Sequence, residues 1–151
     1  MEPITFYEPE DENGWLSSLA PYEIVMNGVV WPTAEHWYQA QKFPNDPTLQ
    51  EFLRRTSDPR TVKAIARDNK DARRADWDDV KVSMFYEANM TKFIKHPALW
   101  AQLLETGHAE LVEQSPHDPF WGRAANGTGE NMVGVVLMYI RDELRNARMR
   151  A

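Results

Sequence analysis

The sequence predicts an α+β domain, mostly helical around a small β-sheet. Three observations carry that expectation. Apolar residues recur with helical spacing through most of the chain after residue 33. The β-type runs are few and short, and one is broken by Asn27-Gly28. At 151 residues, with 42% hydrophobic residues and six Trp, the chain has the size and apolar content of one packed domain, expected over residues 1–151.

In chain order, Ile4-Thr5-Phe6-Tyr7 reads as a first strand, followed by an acidic, turn-rich stretch to Gly14. Tyr22–Met26 and Val29–Trp31 flank Asn27-Gly28, and both turn residues tolerate the positive φ of a type I′ hairpin. Thr33 then supplies an N-cap, and Glu35 falls in the first helical turn, where free N–H groups favour a carboxylate. Asp46-Pro47 and Asp58-Pro59 each start a helix with proline at its first position. The first carries Leu49, Phe52 and Leu53, the second Val62, Ile65 and Ala66. Arg67 to Asp76, almost entirely charged or small, reads as a helix end plus a loop. From Trp77, the positions Val80, Met84, Phe85, Ala88 and Phe93 fit a long amphipathic helix. Pro97 opens another, ended by Thr106-Gly107. Glu110–Glu113 reads as a strand, 114–129 as a Pro- and Gly-rich loop, and Glu130–Arg148 as a final helix with Val133, Val136, Leu137, Ile140 and Leu144 on one face.

Charge and composition narrow the function classes. There are 17 basic against 23 acidic residues, a formal net charge of -6, and no Lys/Arg block long enough for a nucleic-acid arm. The chain lacks cysteine, which removes disulfides, thiolate chemistry and Cys-ligated zinc. No metal site and no cofactor are expected. No apolar run approaches membrane length and Met1-Glu2-Pro3-Ile4 lacks a leader pattern, so a soluble cytoplasmic domain without membrane contact is expected.

Two clusters could carry chemistry. On the helix after Thr33, Glu35, Gln39 and Lys42 lie along one stripe with Tyr38 at its edge, while Ala34, Trp37 and Ala40 point the other way. Such a stripe is either a solvated face or a site. The second cluster is the loop Ser115–Gly122, with Asp118 either a turn-forming residue or a functional acid. Gly127-Thr128-Gly129 could form an anion cradle ahead of the last helix, or simply a turn. Asn131 could cap that helix or bind a ligand amide.

Taken together and in order, several short motifs resemble the NADAR (NAD and ADP-ribose associated) superfamily. They are Thr33-Ala34-Glu35-His36, Tyr38-Gln39-Ala40, Lys42-Phe43, Arg73 or Arg74 with Asp76-Trp77, Thr106-Gly107, Leu111-Val112-Glu113, Asp118 with Trp121-Gly122, and Gly129 with Asn131, Gly134, Leu137-Met138 and Arg141. The resemblance runs from about residue 4 to residue 144 and implies a YbiA-like α+β fold. It also implies an N-glycosidase that hydrolyses the ribose C1–N bond. The implied substrates are phosphorylated ribosylaminopyrimidine intermediates of riboflavin synthesis, or ADP-ribose on a nucleobase; nucleic acid would enter only in that ADP-ribosylated form. The alternative is a module that binds NAD-derived or ADP-ribose ligands without turnover. Glu35, then Asp118, are the candidates for proton transfer, and Lys42 for an amine nucleophile. Tyr38, Trp77 or Trp121 could stack on the base, and Arg67, Arg73, Arg74 or Arg141 could pair with phosphate. Gln39, Gly122 and Asn131 complete the expected binding set. The chain departs from the family pattern at Ser18, where Asn is usual, and at Arg123, after Trp-Gly.

Overall fold

The computed structural model describes residues 1–150, and the mostly helical α+β expectation holds. The chain divides into two units, Ser18–Lys95 and the remainder, Met1–Ser17 with the chain from His96 onward.

Within Ser18–Lys95, β2 (Ile24–Met26) and β3 (Val29–Trp31) form the expected antiparallel hairpin. Asn27 and Gly28 have φ of 52° and 79°, the left-handed pair that a type I′ turn requires. The hairpin leads into helix α1 (Ala34–Ala40), where the Thr33 hydroxyl accepts the His36 N–H. A cap of this kind stabilises a helix by about 1 kcal/mol. Helices α2 (Pro47–Arg55), α3 (Pro59–Asp68) and α4 (Trp77–Lys95) follow; Asp46 and Asp58 cap α2 and α3 as their Asp-Pro signals predict. Helix α1 packs against all three of them. Leu53, Val62, Ala66, Phe85, Ala88 and Phe93 fill the interior, whereas Phe52 is 58% exposed. Lys70–Ala72 makes one 3-10 turn within the charged stretch expected to be helix end and loop.

In the other unit, β1 (Ile4–Phe6) pairs in parallel with β4 (Leu111–Glu113), matching Ile4 to Leu111. A parallel pair cannot be closed by a tight turn. The strand component is therefore two separate two-stranded ladders. Helices α5 (Pro97–Glu105) and α6 (Met132–Arg150) complete the unit; α6 lies on β4 and buries the five apolar positions named for it. Any side chain at position 134 would run into the Leu111 carbonyl, so only glycine lets the two elements approach this closely.

Candidate functional site

Helix α1 does not have the two faces that its stripe implied. Every residue from Ala34 to Ala40 is buried, the polar ones included. A helix buried on all sides is normally apolar, so each polar group in α1 calls for a partner. His36, fully buried, bridges the Thr33 hydroxyl on Nδ1 at 2.7 Å and the Thr56 carbonyl on Nε2 at 2.6 Å. Only a ring N–H can meet a carbonyl oxygen, which places the proton on Nε2 and leaves Nδ1 to accept from Thr33. Burial lowers the pKa of His36, consistent with this neutral form.

Glu35 is the other matched group, and it is 5% exposed. Its Oε1 accepts from the Ser18 hydroxyl at 3.0 Å and its Oε2 from Gln39 Nε2 at 3.1 Å. The Ser18 carbonyl also accepts the Glu35 backbone N–H at 3.1 Å. Ser18, the departure from the family pattern, therefore still supplies a donor to this carboxylate. Nothing in the local sequence marks Ser18 for that contact, which spans 17 positions.

Lys42 is not on the helical stripe. Helix α1 ends at Ala40, and Lys42 stands in the turn beyond it, its N–H bonded to the Gln39 carbonyl and its carbonyl accepting from Arg74 N–H at 2.8 Å. Its ammonium lies 5.6 Å from the centre of the Trp77 ring. Partial burial lowers the Lys42 pKa most; the negative charge of Glu35 opposes this, while the positive charges of Arg73, Lys63 and Lys81 add to it. The charges that act on Lys42 are thus one carboxylate and three cations, in a chain of net charge -6. Lys63 lies on α3 and Lys81 on α4, where it also pairs with Asp78 at 3.2 Å, and no sequence pattern links either to Lys42.

Tyr38 packs against Trp77, with ring centres 5.2 Å apart, and edge-on to Phe85 at 5.6 Å. Trp77 is 3% exposed. With Tyr38 and the Lys42 ammonium against its ring, it has little surface left for a base, and its structural role is a floor beneath Lys42. The three candidate arginines differ. Arg74 is committed to Asp76 through two contacts of 2.6 and 3.0 Å. Arg73 reaches Asp78 only at 3.8 Å. Arg67 lies exposed on the last turn of α3.

The candidates in the other unit are held by structural bonds. One oxygen of Asp118 accepts the N–H groups of Phe120 and Trp121 at 3.0 and 2.9 Å, the turn-forming role weighed for it. Trp121 is partly exposed and edge-on to Phe120. Gly122 is buried where any side chain would meet the Ser115 Cβ. The anion cradle before α6 does not form. The N–H groups of Glu130, Asn131, Met132 and Val133 donate to the carbonyls of Pro119, Gly122, Phe120 and Trp121, so this helix start has its donors satisfied by the loop folded onto it. Asn131, 1% exposed with φ of 52°, spends its amide on β4: Oδ1 accepts from Glu113 N–H and Nδ2 donates to the Leu111 carbonyl. Arg141 is 4% exposed and donates to the Thr106 hydroxyl and the Ala109 carbonyl, tying α6 to the corner after α5.

Among the described residues, no group of three or more His, Asp or Glu side chains is arranged to hold a metal ion. No helix among them is long and apolar enough to cross a membrane.

Comparison with known proteins gives this arrangement a family. The model of the NADAR domain matches residues 5–145, a stretch that includes residues of both units. The N-glycosidase YbiA of Escherichia coli is 39% identical over 141 residues, covering 93% of this chain and 88% of that protein. An N-glycosidase of Nostoc punctiforme is 39% identical, with 95% and 93% covered. A riboflavin biosynthesis protein of Vibrio vulnificus is 40% identical over 95% of this chain, which spans only 39% of that longer protein. The NMR structure of Escherichia coli YbiA superposes with a TM-score of 0.90 at 37% identity, covering 99% of this chain and 89% of that one. By sequence and by fold, the chain belongs to the NADAR domain family.

Proposed function

We infer that this chain is a hydrolase of N-glycosyl bonds that releases the amine or base from C1 of a phosphorylated ribose, with residues 1–151 acting as one NADAR domain. The curated relatives named N-glycosidases support the reaction class. The relative named for riboflavin biosynthesis favours a ribosylaminopyrimidine phosphate over an ADP-ribosylated base as substrate.

The observation that carries the reading is a buried Glu35 whose charge acts on Lys42. A buried carboxylate, fixed by Ser18 and Gln39, stands near an amine whose pKa is lowered by burial and by neighbouring cations. A lysine with a lowered pKa supplies the unprotonated amine that attacks carbon. In the ring-opened substrate, C1 is the carbon of a protonated imine that includes the departing nitrogen. Lys42 Nζ adds to C1 and passes a proton to the Glu35 carboxylate, and the resulting aminal loses the original amine, which takes that proton from Glu35. Water then adds to the Lys42 imine, C1 leaves as the sugar aldehyde, and the amine and carboxyl return to their starting states. Arg73, Lys63 and Lys81 supply the positive field for the phosphate.

Two variants test this. Glu35→Gln keeps shape and hydrogen-bonding reach but cannot transfer the proton, so turnover should fall about 10²-fold or more with binding retained. Borohydride added during turnover should fix the sugar on the wild-type protein and not on Lys42→Ala. Near-normal turnover by Glu35→Gln would remove that carboxylate from the mechanism and make Asp118 the next candidate. Tight binding of ADP-ribose with no release of base or sugar over hours would instead make the chain a binding module.

A further inference from the structure

Gln39 is 5% exposed, and one end of its amide is unused. Its Nε2 donates to Glu35 Oε2, while its Oε1 is buried without a hydrogen-bond partner. The carboxylate fixes which end is which, because turning the amide over would press its carbonyl oxygen against Oε2. A buried carbonyl left without a donor destabilises the fold, and buried polar groups are nearly always satisfied. This acceptor lies one amide width from the carboxylate assigned to proton transfer.

We propose that Gln39 is a specificity-determining residue whose Oε1 accepts a hydrogen bond from the sugar hydroxyl adjacent to C1, so that the site selects ribosyl over 2-deoxyribosyl substrates. The inference rests on the reading of Glu35 given above. A bare carbonyl oxygen takes only a donor, which excludes an ionised phosphate as its partner, and in the ring-opened substrate the former ring oxygen is a hydroxyl on C4, two carbons farther from C1 than the hydroxyl on C2. Glu35 provides for the proton on the departing nitrogen, which leaves the hydroxyl one bond from C1 as the nearest remaining donor. A site built to bond a hydroxyl rejects the analogue lacking it, because the unpaired acceptor then stays unpaired.

The test compares kcat/KM for a ribosylaminopyrimidine phosphate and its 2-deoxyribosyl counterpart in wild type, Gln39→Met and Ser18→Ala. The deoxy bond is intrinsically more labile, so the ratio of the two substrates is compared between proteins. Gln39→Met keeps the length of the side chain and removes the acceptor. Ser18→Ala removes a bond to the opposite oxygen of the same carboxylate and leaves the Gln39 carbonyl in place. The expected result is a preference for the ribosyl substrate that drops at least about 10-fold in Gln39→Met and persists in Ser18→Ala. An unchanged ratio in Gln39→Met, or an equal drop in both variants, overturns the inference and leaves the assignment of Glu35 standing. Failure of the wild type to cleave either substrate overturns both. Should Gln39→Met not fold, the wild type is titrated with ribose 5-phosphate and 2-deoxyribose 5-phosphate. Tighter binding of the first is expected, and equal binding overturns the inference.

Discussion

Replacing Lys92 with methionine should remove a pH dependence from the stability of the protein. Lys92 has 0% exposure on α4, with its ammonium 5.5 Å from the centre of the Tyr22 ring and 5.2 Å from that of Phe93. Burial pushes its pKa from 10.5 down to about 7. Below pH 7 the folded and unfolded states both carry the proton, and the folded state bears the full cost of a buried charge. Above pH 10.5 both are neutral and that cost is gone. Between these limits the unfolded chain binds more protons, so stability rises with pH. At 1.36 kcal/mol per unit, with the folded group half protonated at pH 7, the charge costs about 4 kcal/mol there. Methionine fills a similar volume without a charge, so in urea unfolding the wild type should gain about that amount of stability relative to Lys92→Met as pH rises from 7 to 10.5. A difference between the two proteins that stays flat across this range would refute the reasoning.

Arg73→Ala should raise KM for a phosphorylated substrate more than it lowers kcat, because Arg73 is held by no close ion pair and its charge reaches Lys42. Arg74→Ala, which loses only the contacts to Asp76, should leave KM unchanged, and steady-state kinetics with equal shifts in both would contradict this division. Asn131→Ala should lose about 3 kcal/mol or more in urea unfolding, since it strips partners from two backbone groups of β4 and places alanine at a positive φ. A loss of activity with stability intact would give Asn131 to the ligand instead.

Several features were legible in the residues themselves because their causes are local. Asn27-Gly28 marks its own turn, Thr33, Asp46 and Asp58 mark their own helix starts, and the spacing along α4 and α6 marks a buried stripe. The ordered short motifs also sufficed to point to the family. Lys92 was not singled out in the sequence; it falls on the line of Phe85 and Ala88 at helical spacing, and its complete burial follows from the packing around α4. What local sequence could not decide was which polar groups meet. Glu35 and Gln39 read equally well as a solvated stripe, and only the packing of α2, α3 and α4 around α1 removes them from water. Once they are buried, a carboxylate must find donors, and the nearest one comes from Ser18, 17 positions away. The same logic reverses the reading of the Gly129 helix start. Its N–H groups are free in the sequence, yet the 119–122 turn folds back and satisfies them. Hydrogen bonds between distant segments depend on how the chain returns on itself, and residue type and spacing do not encode that return.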